Sequence, residues 1–265
     1  VNTLAPKLVL TPLLVASTSL AGRRWGPSLS GWLVALPLTS GPIVFFIALE
    51  AGADVARQAA AGALLGATAQ VAFAAAYTMA ARRWGWITSL VLGALAFFGV
   101  GLAVPPIAPI VTYGLLLAAV AGYLATVGRR PVSAPSTLTP PAWDIPVRVV
   151  VATALVIAIS ALAPVIGGRI SGVLATFPVY AAVLATFAHA THGGGEASAV
   201  LRGLAAGLIG FGAFFLALGF LLGVTSIAVS FLGALSVGLL VHVATLPLVR
   251  RASGGEEAMA PAGLE

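Results

Sequence analysis

The chain is 265 residues long, 60% hydrophobic and only 8% charged, with a formal net charge of +6. Its mean hydropathy of +1.10 excludes a water-soluble globule, since soluble domains carry about 25% charged residues. Cysteine is absent, which excludes disulfides, thiol catalysis and thiolate metal sites.

In lipid, only helices or closed barrels satisfy the backbone. A barrel strand alternates apolar and polar residues, and runs such as VLGALAFFGVGLAV at 91–104 do not. The composition therefore predicts an all-α polytopic membrane protein. A pI of 10.8 would suggest nucleic acid in a soluble protein. Here the basic residues stand in short clusters between apolar segments, where they fix orientation, so no nucleic-acid partner is expected.

Breaks at charged residues, prolines and glycines divide the chain into nine predicted transmembrane helices: 8–21, 29–49, 56–81, 86–104, 107–127, 147–165, 170–189, 199–222 and 227–248. Most approach the roughly 20 residues that a bilayer needs. The first is short, so Lys7 snorkels or the native N-terminus is longer. No cleavable signal peptide is expected, since the first apolar segment has no small-residue cleavage site followed by a soluble domain. RRPVSAPSTLTPPAWD, 129–144, reads as a linker, and the tail from 252 as disordered.

Charge then gives sidedness. One side of this plan receives Lys7, Arg57 and Arg169; the other receives Arg23, Arg24, Arg82, Arg83, Arg129, Arg130, Arg148, Arg202, Arg250 and Arg251. By the positive-inside rule the second side is cytoplasmic, with the N-terminus outside.

SGWLVALP at 30–37 returns as SGVLATFP at 171–178. The offset of 141 residues pairs Ser30 with Ser171, Gly31 with Gly172, Leu33 with Leu174 and Pro37 with Pro178. It continues without a gap through Phe46/Phe187, Gly52/Gly193, Gly62/Gly203, Gly66/Gly207 and Phe73/Phe214. This is an internal duplication. Five spans separate any residue from its equivalent, so the copies face opposite ways. The expected plan is a first four-helix repeat at 1–104, a linking helix and cytoplasmic linker at 105–146, a second repeat at 147–251 and a tail at 252–265. Inverted repeats with interrupted helices are typical of secondary transporters, whose sites lie between the repeats.

Pro37 and Pro178 each fall about eight residues into a span, and each removes a backbone donor. Thr39, Ser40, Gly41 and Pro42 extend the first break. Freed carbonyls and hydroxyls there could hold a substrate or ion, though a membrane-helix proline is also often only a kink resolved by its neighbours. The Ser-Gly pairs read as caps and close-packing positions. Gly62, Gly66, Gly203 and Gly207 read as close-packing positions too. The expected substrate-binding set is Pro37, Thr39, Ser40, Gln70, Thr176, Pro178, Tyr180 and His242.

Ionisable residues inside a membrane are functional candidates, and they are scarce. Only His242 is deep, and His189 ends its helix. Glu50 and Asp54 fall at the outer end of the second span. HATHGGGE places His189, His192 and Glu196 at spacing like that of metal ligands. The glycine run, however, should end the helix before Glu196, so no metal is expected. Arg169 and Arg202 read as orientation anchors. No nucleophile–base pair or metal cluster marks an enzyme, and no cofactor is expected.

ISGVLATFPVYAAVLATFAHATHGGGEASAVLRGLAAG, in the second copy, resembles the small GlpM-type inner-membrane proteins. Ile170, Gly172, Phe177, Pro178, Ala188, His189, Leu201 and Arg202 carry the resemblance over about 40 residues. The first copy keeps Gly31 and Pro37 but has Ala48 and Ala61 for the His and Arg. The chain looks like a fused double version of that family, which is linked to alginate production. The resemblance implies a non-transporting assembly partner of envelope polysaccharide machinery. The repeat implies a secondary transporter or lipid-type translocator in the inner (plasma) membrane. Its partners would be membrane lipids and a small-molecule, ion or lipid substrate; a homodimer is compatible with either reading.

Overall fold

A computed structural model of the chain describes residues 4–38, 40–105, 107–126, 143–162 and 176–249. These form helices α1 (Leu4–Trp25), α2 (Pro27–Val34), α3 (Ser40–Ala51), α4 (Ala53–Ala80) and α5 (Trp86–Ala103). They are followed by α6 (Pro109–Thr126), α7 (Asp144–Leu162), α8 (Val179–His192), α9 (Gly194–Leu221) and α10 (Ile227–Ala244). No strand occurs among the described residues. Five helices, α4, α5, α6, α9 and α10 (the last extended to Val249), are long and apolar enough to cross a membrane. Thr39, Arg169, Ile170, Ser171, Gly172, Leu174, most of the 129–144 linker, and the tail lie outside the described residues.

The core is the pair α4 and α9. Of the apolar windows, 67% of α9 and 50% of α4 is buried, against 22% for α5, α6 and α10. Small side chains along both helices let their backbones approach closely. Ala56, Ala60, Ala63, Ala67 and Ala74 are buried along α4, and Ala199, Gly203, Ala206, Gly210 and Ala213 along α9. α6 packs on both long helices, α5 and α10 flank α4 and α9 respectively, and α1 lies on α7.

The 141-residue offset reappears in the element limits. α4 shifted by 141 is 194–221, the span of α9, and α5 shifted is 227–244, the span of α10. Gly52 and Gly193 turn the corners into α4 and α9 with φ 89 and 94 and ψ 169 and 172. This backbone region is essentially reserved for glycine.

The predicted span 29–49 is two helices, α2 and α3. Pro37 sits at the centre of a turn in which Leu38 N donates to Leu36 O (2.8 Å), while Gly41 N donates to Pro37 O (2.9 Å). The second break repeats this pattern: Val179 N donates to Phe177 O (2.8 Å) and Ala182 N to Pro178 O (2.8 Å). Pro178 has φ −77 and ψ 61, the inverse γ-turn geometry. Pro37 therefore stands between α2 and α3, and Pro178 immediately precedes α8.

Three further expectations change. Ser30 does not cap its helix: α2 starts at Pro27, with Gly26 preceding it and no side-chain cap. The glycine run does end the helix that bears His189 and His192, but Gly193 alone makes the corner: Gly194 and Gly195 already belong to α9, which starts at 194 and not at the expected 199, with Glu196 in its first turn. Gly62 meets nothing within 4 Å of a built Cβ among the described residues.

The two ends of the bundle differ. Arg23 at the end of α1 pairs with Asp144 at the start of α7 (3.2 Å). Exposed Trp25, Trp84, Trp86 and Trp143 lie at that end, as do Arg82 and Arg83. The opposite end carries Glu50, Asp54 and Arg57.

Candidate functional site between the two long helices

α4 and α9 run antiparallel. Arg57, in the second turn of α4, donates from Nε to the carbonyl of Gly219 near the end of α9 (3.2 Å). At the other end, a Cβ built on Gly194 would run into the carbonyl of Ala81. Backbones therefore touch at the arginine-rich end, where Thr78 Oγ1 and Tyr123 OH, both buried, also join at 3.0 Å.

The Arg57 end is open. A cavity of about 720 Å³ lies between α4, α6 and α9. Asp54, Arg57 and Gln58 form one wall; Pro109, Ile110, Phe215, Leu216 and Phe220 form the other. Arg57 also faces Asp54 at 3.5 Å, and both side chains are at least half exposed. Ala61 lines the cavity as well.

The breaks dock deeper in the same pair of helices. Gln70 lies nine residues beyond Ala61, about 14 Å along α4 at 1.5 Å per residue. Its Nε2 donates to Thr176 O (3.1 Å), a carbonyl just before the break at Pro178. A Cβ on Gly66 would overlap the Thr176 side chain, and one on Gly207 would meet Ala35 Cβ at 2.6 Å. These are equivalent contacts under the 141-residue offset, so each break seats on the long helix of the other half. Phe177 packs edge-on to Phe73 (5.9 Å) and Phe97 (5.3 Å) and stacks on Phe98 (5.9 Å). Tyr180 OH meets Thr11 Oγ1 at 3.0 Å.

The structure thus gathers Gln70, Thr176, Pro178 and Tyr180 around one break. Pro37 and Ser40 form the other, beside Phe214, which a Cβ on Gly41 would touch at 3.5 Å. His242 stands apart from both hydroxyl clusters. It is 2% exposed, stacks on Trp32 at 4.1 Å, and its Nδ1 lies 3.2 Å from Gly207 O. A carbonyl can only accept, so Nδ1 carries the proton. Its Nε2 has no hydrogen-bond partner among the described residues. Trp32 Nε1 donates to Thr245 Oγ1 (2.9 Å), which donates to His242 O (2.6 Å).

Several participants gave no usable signal in the sequence. Trp32 and Thr245 are 213 residues apart. Arg202 is buried at 8% exposure inside α9, whereas a helix-end anchor was expected. Asp144 is buried and held by both Arg23 (3.2 Å) and Arg148 (2.9 Å). His189 Nδ1 contacts Tyr77 OH (3.3 Å) and His192 Nδ1 contacts Thr191 Oγ1 (2.6 Å). Among the described residues no group of three His, Cys, Asp or Glu could hold a metal. No family model, curated protein or solved structure matches the chain.

Proposed function

We propose that the chain is a secondary transporter or lipid-type translocator, built as two inverted four-helix repeats joined by α6, with nine spans in the inner membrane. One observation carries this reading. α4 and α9, equivalent by offset and antiparallel, border an open cavity together with α6 at one end and touch backbone to backbone at the other. An interface open on one side and sealed on the other is what alternating access between repeats requires. The substrate path runs from the cavity past Ala61 toward Gln70, Thr176, Pro178 and Tyr180, with Pro37, Thr39 and Ser40 at the equivalent break. His242 supports the first break through Gly207, against which Ala35 packs. The chain acts without a catalytic residue, as a carrier and not an enzyme. The N-terminus lies outside and the C-terminus in the cytoplasm, on the side of the arginine pairs.

The thiol-free chain makes this testable by cysteine labelling. In right-side-out vesicles, Val224→Cys should react with a membrane-impermeant maleimide and Trp84→Cys should not. Reaction of both from one face would remove the inverted arrangement. Thr78→Cys should be shielded in the resting protein and gain cytoplasmic reactivity during turnover. If Thr78→Cys never reacts under any condition, the alternating-access reading fails, and the assembly-partner reading implied by the GlpM resemblance takes its place.

A further inference from the structure

The cavity between α4, α6 and α9 has two unlike walls. Asp54, Arg57 and Gln58 all come from the first turns of α4 and place a carboxylate, a guanidinium and a carboxamide side by side. The facing wall is apolar, from the start of α6 and the end of α9. On that wall Ile110 is 66% exposed and Phe220 is 70% exposed. In a membrane protein, such side chains at the flank of a cavity meet lipid chains, so the cavity is open sideways to lipid as well as to water. Its volume of about 720 Å³ falls within the roughly 300–1,000 Å³ of sites that hold one small ligand.

Polar chemistry narrows the occupant. Arg57 donates its Nε–H to Gly219 O and stands in an ion pair with Asp54 at 3.5 Å, which commits one of the five N–H groups that a guanidinium offers. The remainder suit a phosphate, which guanidinium groups bind in a fork. Asp54 is 91% exposed, so its carboxylate is free to turn from Arg57 to a cationic group on the same ligand. Gln58 supplies both a donor and an acceptor.

From this we infer that the cavity binds a zwitterionic amphiphile, its phosphate at Arg57, its amine at Asp54 and its chain along Ile110 and Phe220. The inference rests on the transporter reading for its meaning, since it names the class of substrate that enters there.

The test uses the full chain carrying Ala61→Cys, a cavity-lining position, with Val224→Cys as a control at the same end but outside the cavity. Each is reconstituted in vesicles of pure phosphatidylglycerol and in vesicles containing phosphatidylethanolamine, and maleimide labelling rates are measured. Phosphatidylethanolamine at about ten times its dissociation constant should slow labelling of Ala61→Cys roughly tenfold and leave Val224→Cys unchanged. Arg57→Gln in the Ala61→Cys background should abolish the protection, and Arg57→Lys should restore part of it. Asp54→Asn should remove the preference for the amine-bearing lipid over phosphatidylglycerol. Equal rates in both vesicles overturn the inference. Protection by soluble glycerophosphoethanolamine alone also overturns it, because the ligand would then be the free headgroup and not an amphiphile. The transport reading is scored separately, by movement of a fluorescent phosphatidylethanolamine across the bilayer. Protection without movement sinks that reading and leaves the site standing; shielded Thr78→Cys becoming reactive without protection at Ala61→Cys does the reverse.

Discussion

At the residue scale, the glycines divide into those that allow contact and those that do not. A Cβ on Gly31 would land on the carbonyl of Val200, and one on Gly203 would land on the carbonyl of Ser28. α2 thus lies backbone to backbone on α9, as small-residue contacts in membranes permit. Gly203→Ala should force α2 away from α9, at the cost of about 1–3 kcal/mol typical of overpacking. A lowered melting temperature in detergent would report it. Gly122→Ala, whose Cβ meets nothing within 4 Å among the described residues, should leave the melting temperature unchanged. Equal stability of the two variants would mean that the α2–α9 crossing is loose. The sequence showed that Gly31 and Gly203 matter but not how. Ser30-Gly31 looks like a cap followed by a packing position, and only Pro27 starting the helix one turn earlier moves Ser30 inside it.

At the element scale, the proline breaks and the buried ion group work in different ways. At each proline the carbonyl of the residue before it accepts from the amide of the residue after it, while the proline's own carbonyl accepts from the amide four residues on, so the backbone is paired across the break. Proline in a helix interior costs about 3 kcal/mol relative to alanine. Pro178→Ala should therefore keep or raise the melting temperature while extending α8 backward, away from Gln70. Ligand protection of Ala61→Cys should weaken in that variant; unchanged protection would assign the breaks to packing alone. Asp144 behaves oppositely. It is 1% exposed between Arg23 and Arg148, and it ties the end of α1 to the start of α7. Removing one partner of a buried ion group leaves the others uncompensated, so Asp144→Asn should cost about 3 kcal/mol. A thermal melt in detergent checks this, and a loss below about 1 kcal/mol would place the group in solvent. Asp144 was hidden in the sequence by its neighbours: it follows a proline-rich stretch, and a linker is where an isolated acid is expected.

At the scale of the whole molecule, the all-helical class and the long apolar segments were legible because they are properties of pattern. Hydropathy marks lipid-compatible helices, and the offset of 141 residues, read from Ser30-Gly31 and Pro37, also relates the limits of α4 to α9 and of α5 to α10. Gln70 was legible as the carboxamide deep inside a span, and it does meet Thr176 next to the break. The cavity was not legible. Asp54, Arg57 and Gln58 look like an ordinary interfacial helix start, and Pro109, Ile110 and Phe220 look like lipid-facing residues. They form a site only because α6 leans on both long helices, an arrangement that depends on packing between segments more than 50 residues apart. Trp32, Thr245 and His242 were separated for the same reason. Their network exists only where α2 crosses α9 and α10.

The distribution of indole rings has a practical consequence. All five tryptophans, Trp25, Trp32, Trp84, Trp86 and Trp143, belong to the half of the bundle that carries the arginine pairs, and none lines the cavity. Intrinsic emission is thus a one-sided probe. A molecule entering beside Arg57 and Phe220 has no indole to quench, so simple occupancy is optically silent. Any change in intensity or wavelength on adding such a molecule must have crossed the length of α4 or α9 to reach Trp32 or the rim. The native chain, unlabelled, therefore separates binding from transmission: a calorimetric signal without an emission change is occupancy alone, and the two together register movement at the far end.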